Sequence, residues 1–160
     1  MFQAGYSGMN IRRIAKNCHV ATGTVYNYFP SKEMLVASLM LSDWLEVLRR
    51  AGESAAGCSE LKEGLEGVYA AFLSFSDRYR VIFQATDMPL GGEAYAKRHK
   101  ELRGQIVEVL QTLLERFDRH PDEMTYVILA ESILTATGEN RNFSELYAVI
   151  EKLLGKGEAR

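Results

Sequence analysis

Asn10 to Leu35, NIRRIAKNCHVATGTVYNYFPSKEML, is the stretch on which the fold of this chain turns. The Asn10 side chain can accept a hydrogen bond from a free backbone N–H of an opening helical turn. Ile11, Ile14 and Ala15 then share one helical face. Cys18-His19-Val20 interrupts that period. A second short helix is predicted from about Thr22 to Tyr28, with Val25 and Phe29 turned inward and Thr22, Thr24, Tyr26, Asn27 and Tyr28 presenting polar ends. Pro30 stops it, Ser31 can cap a third helix, and Lys32 opens a long amphipathic run. Two helices this short around so brief a turn have helix-turn-helix spacing.

Outward from that stretch the period stays helical. Lys32 to Arg50 carries Met34, Leu35, Leu39, Leu41, Trp44, Leu45 and Leu48 on more than one face, as in a helix packed against two bodies. Residues 51–60, AGESAAGCSE, are small and predict a loop. Leu61, Leu65, Val68, Phe72 and Phe75 return to helical spacing, and after Ser76-Asp77 a shorter apolar element covers Tyr79 to Thr86. Met88-Pro89-Leu90-Gly91-Gly92 is a break, followed by a helix from Glu93 to about Asp118. Pro121 suits the first position of the next helix, with Asp122 and Glu123 in its first turn and Gly138 at its end. Asn142 opens a last helix with Glu145 placed for a capping box, and Gly155 closes it. No strand pattern or repeat occurs. The expected class is all-α, with a helix-turn-helix over residues 1–35 and a helical domain over 36–160.

Composition narrows the function classes. Hydrophobic residues make up 47% of the 160, enough for a substantial core. No apolar run approaches bilayer length and no signal-peptide pattern is present, so a cytoplasmic protein without a membrane span is expected. Cys18 and Cys58 suggest neither a disulfide framework nor a metal site, and each is expected as a small buried residue. The net charge of −2 conceals an asymmetry. Arg12, Arg13, Lys16 and Lys32 lie in the first 32 residues with no Asp or Glu beside them, which suits local contact with a polyanion. His19, His99 and His120 are far apart, and neither a phosphate-binding loop nor a nucleophile motif is found. An enzyme is therefore not expected, nor a cofactor.

Taken together, Gly5-Tyr6, Ile11, Ile14, Val20, Gly23, Val25-Tyr26, Tyr28-Phe29, Ser31-Lys32 and Leu35 resemble the DNA-binding signature of TetR-family regulators. The chain departs from that pattern at Asn10, where Thr or Ser is usual, at His19, where Gly is common, and at Ala21, which has no capping side chain. The turn at His19 is expected to need a positive φ, which His tolerates better than most residues. The resemblance implies a homodimeric, ligand-responsive transcriptional regulator, a repressor, whose partners are a palindromic double-stranded DNA operator and a small apolar or amphipathic effector. It also implies a helix ahead of Gly5-Tyr6, expected to be missing here because only Met1 to Ala4 stand upstream.

Residue roles follow from the resemblance. Thr22, Gly23 and Asn27 are candidates for base approach, Asn27 because its amide can pair with adenine on two atoms. Asn10, Thr24, Tyr26, Tyr28 and Lys32 are candidates for phosphate contact. Tyr26 and Tyr28 can equally be packing residues. Trp44, Phe72, Phe75, Phe83, Tyr95, His99 and Ile106 are candidates for an effector pocket, each readable also as core or surface. The last two helices are apolar on two sides, and Tyr126, Leu129, Ile133, Tyr147, Ile150 and Leu154 are the expected dimer interface. A different reading stays open at this point: a dimeric helical protein that binds a small molecule and has lost DNA binding.

Overall fold

The computed structural model describes residues 8–83 and 93–155, with backbone alone at Phe83 and at 93–95. Among the described residues are seven helices and no strand: α1 (Ile11–Asn17), α2 (Thr22–Tyr28), α3 (Lys32–Gly57), α4 (Leu61–Phe83), α5 (Glu93–Glu115), α6 (Glu123–Gly138) and α7 (Phe143–Leu154). The chain is all-α, as its periodicity indicates.

Helix ends are set by short-range chemistry. Asn10 accepts from the Arg13 N–H at 3.2 Å, Ser31 from the Met34 N–H at 3.2 Å, and Asn142 from the Ser144 N–H at 2.8 Å. Three helices close in the same way at the other end. His19, Asp118 and Asn140 take φ of 55°, 54° and 56°, the non-glycine positive values among the described residues. In each case the following N–H reaches back to a carbonyl five residues earlier: Val20 to Ala15, Arg119 to Leu114, Arg141 to Ala136, at 2.8–3.0 Å. This is the Schellman closure, built on residues that bear the left-handed strain in place of glycine.

The chain divides into two compact units, Met1–Leu45 with Arg78–Pro89, and Glu46–Asp77 with Leu90–Arg160. The divisions fall inside α3 and inside α4. The helix-turn-helix thus shares its unit with the first part of α3 and the last turns of α4, a larger body than residues 1–35. Buried in the first unit are Met9, Ile11, Ala15, Leu35, Val36, Trp44, Tyr79 and Ile82. In the second, α6 packs on α5 and α7, and the buried set includes Leu65, Phe72, Ile106, Leu110, Leu113, Leu129, Ile133 and Ile150.

Several boundaries differ from expectation. Residues 51–57 continue α3 instead of forming a loop. Their small side chains serve packing: Ala51 and Ala55 are fully buried, and alanine is the best helix former. Ser76-Asp77 does not interrupt α4, because Asp77 lies on its exposed side. Pro121 stands outside α6, since Asp122 is the cap, accepting from the Thr125 N–H at 2.9 Å. Cys18 is exposed at the end of α1, while Cys58 is buried as expected. The break at Met88 to Gly92 lies outside the described residues.

Small residues also let α3 and α4 approach within the second unit. A Cβ added at Gly67 would lie 2.6 Å from both Cβ and Oγ of Ser54. Gly67→Ala is therefore expected to lower stability by about 1–2 kcal/mol, the overpacking cost exceeding the roughly 1 kcal/mol gained in helix propensity. Thermal unfolding measures this. Adding Ser54→Gly to the variant should recover most of the loss, and two additive effects would show that the residues do not meet.

Candidate nucleic-acid interface

The candidate surface begins with a fixed turn. In α1 the buried Ile11 and Ala15 leave Arg12, Arg13 and Lys16 exposed, and none of these three has an ion-pair partner among the described residues. The Schellman closure at His19 then redirects the chain into α2, which packs against α1. Helix α2 has no fully buried residue: Val25 and Phe29 at its inner side are half-buried. Its first turn has no side-chain cap, because position 21 is Ala.

The candidate contact residues are presented together on this short helix. Gly23, Thr24 and Asn27 are exposed and Thr22 is half-buried. Tyr28 is 75% exposed and Tyr26 47%. Neither ring is buried among the described residues. A Cβ at Gly23 would meet nothing within 4 Å, and its φ is not positive. Folding does not require glycine there, so its use fits close approach by something outside the chain. Asn10 is exposed but its oxygen is occupied by the cap, and Lys32 is half-buried at the start of α3. Gly5 and Tyr6 lie outside the described residues.

A polar cluster that the sequence did not reveal braces the same unit. Asp43 Oδ2 on α3 accepts from the Tyr79 hydroxyl at 2.6 Å and from Arg78 Nη1 at 2.7 Å, both on α4. Burial pushes the Asp43 carboxyl up, but the Tyr79 and Arg78 hydrogen bonds outweigh it and hold the group below its ordinary value. Burial, then the hydrogen bond to Asp43, push the Tyr79 phenol up. Contacts separated by 35 and 36 residues leave no local signature.

The candidate effector residues are only partly assembled. Phe72, Phe75 and Ile106 are buried in the second unit, and Trp44 in the first. The side chains of Phe83 and Tyr95 lie outside the described residues. His99 on α5 does not face an empty pocket: its Nε2 lies 3.0 Å from both carboxylate oxygens of Glu131 on α6. Arg103 Nη1 donates to the same carboxylate at 2.9 Å. Burial raises the Glu131 pKa, but Arg103 and His99 outweigh it and the net shift is downward.

The expected dimer residues require a correction. Tyr126, Leu129, Ile133 and Ile150 are buried in the chain's own core, Ile133 and Ile150 at 1% exposure. Both sides of α6 are apolar, so periodicity could not tell the inner side from the outer. The outward residues are Met124, Ile128, Val149 and Leu153, beside an open groove of about 500 Å³ between α6 and α7 lined by Ile128, Ser132, Thr135, Leu146 and Val149. Tyr147 and Leu154 are half-buried and border a different cavity. Among the described residues no three His, Cys, Asp or Glu are placed to hold a metal, and no helix is long and apolar enough to cross a membrane.

The Asp43 cluster predicts acid sensitivity. A carboxylate with a depressed folded pKa stabilises fully above its unfolded value near 3.8, and the contribution is lost as pH falls through the folded value. Unfolding followed by Trp44 fluorescence should therefore show a component below about pH 4 that Asp43→Asn removes. Asp43→Leu should cost about 1–3 kcal/mol at neutral pH by leaving the buried Tyr79 hydroxyl without this acceptor. An unchanged acid transition in Asp43→Asn would contradict this.

Residues 1–39 match the family of bacterial regulatory proteins called the tetR family. Over 38 residues, 24% of this chain, it is 45% identical to an uncharacterized HTH-type transcriptional regulator, YuxN, of Bacillus subtilis strain 168, covering 13% of that protein. It is 29% identical over 114 residues to the fatty acid metabolism regulator protein of the same organism, 71% of this chain and 56% of that protein. Against the HTH-type transcriptional regulator UidR of Escherichia coli K12 it is 34% identical over 53 residues, 33% of this chain and 27% of the relative. The matched stretches thus span from an eighth to little over half of these relatives' lengths. The matched segment includes the whole cap-turn-cap sequence that orders α1, α2 and the start of α3, and over residues 1–39 this chain is similar to the tetR family of bacterial regulatory proteins.

Proposed function

We propose that the chain acts as a homodimeric, DNA-binding transcriptional repressor released from its operator by a small apolar or amphipathic effector. The observation that carries the reading is α2 itself. It is held on α1 by a fixed turn, yet commits almost none of its surface to packing, and it carries an open glycine beside an Asn27 amide with no hydrogen-bond partner among the described residues. A surface helix with that character suits insertion into a major groove. Asn27, Gly23 and Thr22 approach base edges, while Asn10, Thr24, Tyr26, Tyr28 and Lys32 hold backbone phosphates. Arg12, Arg13 and Lys16 add charge to the same contact.

The second unit supplies dimerisation and sensing. A two-fold partner covering the open α6–α7 face gives the symmetry a palindromic operator needs. The effector enters among Phe72, Phe75 and Ile106, and α3, which belongs to both units, carries the response. It acts by binding the DNA-competent and DNA-incompetent states unequally, since equal binding shifts nothing.

Two experiments test these assignments. Lys32→Ala should weaken binding to all duplexes roughly alike, whereas Asn27→Ala should relax selection at one base pair per half-site, costing about 1–3 kcal/mol there. Selection from a random duplex library reads both, and an unchanged preferred sequence in Asn27→Ala would remove that residue from base readout. For the dimer, Ile128→Glu or Val149→Glu should give folded monomers in sedimentation, because the charge falls on the face a partner must cover. Ile133→Glu should instead unfold the chain. Folded dimers in both outer-face variants would move the interface elsewhere.

A further inference from the structure

A groove in the second unit lies where α4 begins, α7 ends and the α5–α6 turn passes, with a volume of about 320 Å³. Its floor is aliphatic: Leu61 and Leu65 from α4, Ile150 and Leu154 from α7. Two cations stand at its rim, Arg119 and Lys152. Neither has an ion pair or hydrogen-bonded side-chain partner among the described residues. Arg119 is half-buried and its backbone is fixed by the Schellman closure of α5, through Asp118 at φ 54° and the bond from Arg119 N–H to the Leu114 carbonyl at 3.0 Å. The rim carboxylate, Glu151, is engaged by Tyr147, whose phenol burial and then this neighbour push up.

We propose that this groove is a binding site for a small organic anion with an aliphatic body, its charged head held by Arg119 and Lys152 and its chain laid on Leu61, Leu65 and Leu154. A volume near the lower end of ligand pockets limits the occupant to a short chain. The complementarity is specific in sign: an aliphatic floor alone would take any apolar molecule, but two unanswered cations beside it favour an anionic head, and a planar guanidinium suits carboxylate or phosphate. The site shares no residue with the effector pocket proposed among Phe72, Phe75 and Ile106, and it does not depend on that pocket or on DNA binding.

The test is a titration of the ¹⁵N-labelled chain with octanoate, octyl phosphate and octanol, followed by amide chemical shifts. Saturable shifts at Leu61, Tyr147, Arg119 and Leu154 with the two anions, and at least about tenfold weaker binding of octanol, are the expected result. The ratio between octanoate and octyl phosphate identifies which head group the cations prefer. Arg119→Gln should weaken anion binding about tenfold, and Lys152→Gln, on an exposed side chain, should weaken it with no change in melting temperature. Equal binding of octanol, unaltered affinity in both variants, or no saturable shift in the groove overturns the proposal. Shifts confined to Phe72, Phe75 and Ile106 overturn it too, while supporting the effector pocket.

Discussion

The bond from the Val20 N–H to the Ala15 carbonyl, at 3.0 Å, is the constraint on which the functional end of this protein depends. With the His19 N–H to Lys16 carbonyl bond it closes α1 and fixes the direction in which the chain leaves it. A seven-residue helix such as α2 is too short to be stable alone. Its orientation is therefore inherited from that turn and from packing on α1. Because position 19 is His and not Gly, the turn carries a left-handed strain of about 1–2 kcal/mol that the neighbouring contacts must offset. The same device recurs at Asp118 and Asn140, where α5 and α6 end.

The unit that presents α2 is held by more than its own motif. Asp43 ties α3 to α4 through a buried phenol and an exposed guanidinium, and the unit's apolar interior draws on α1, α3 and the end of α4. The buried phenol is the stronger reason for this cluster's importance, since an exposed ion pair alone contributes little. In the second unit the logic is closer packing: Gly67 against Ser54, and α6 with its inner Leu129, Ala130 and Ile133 against its neighbours. The residues α6 leaves outside, Met124 and Ile128, are too apolar to be ordinary surface beside Val149 and Leu153.

Local chemistry was legible in the sequence, and longer-range choices were not. Asn10, Ser31 and Asn142 could be recognised as caps because capping is decided within four residues. The positive φ of His19 followed from where the turn had to fall. The segment 51–57 misled because small residues are common both in loops and in close helix contacts, and only the partner helix distinguishes them. Asp43 was silent because its partners lie on another helix. Ile133 and Ile128 carry the same hydropathy, so which one faces inward depends on what α5 and α7 present, information absent from α6 alone. On α2 the polar residues singled out in the sequence are mostly exposed, but whether Tyr26 and Tyr28 packed inward required the surrounding structure.

A preformed turn that presents two copies of α2 to one face of a duplex is the centre of the proposed function. Hydroxyl-radical footprinting on a duplex recovered by selection measures that directly. Two symmetric protected patches are predicted on one face of the DNA, centred about one helical turn, roughly 34 Å, or a multiple of it apart. Uniform protection without half-sites, or none at concentrations where the chain is dimeric, would contradict it.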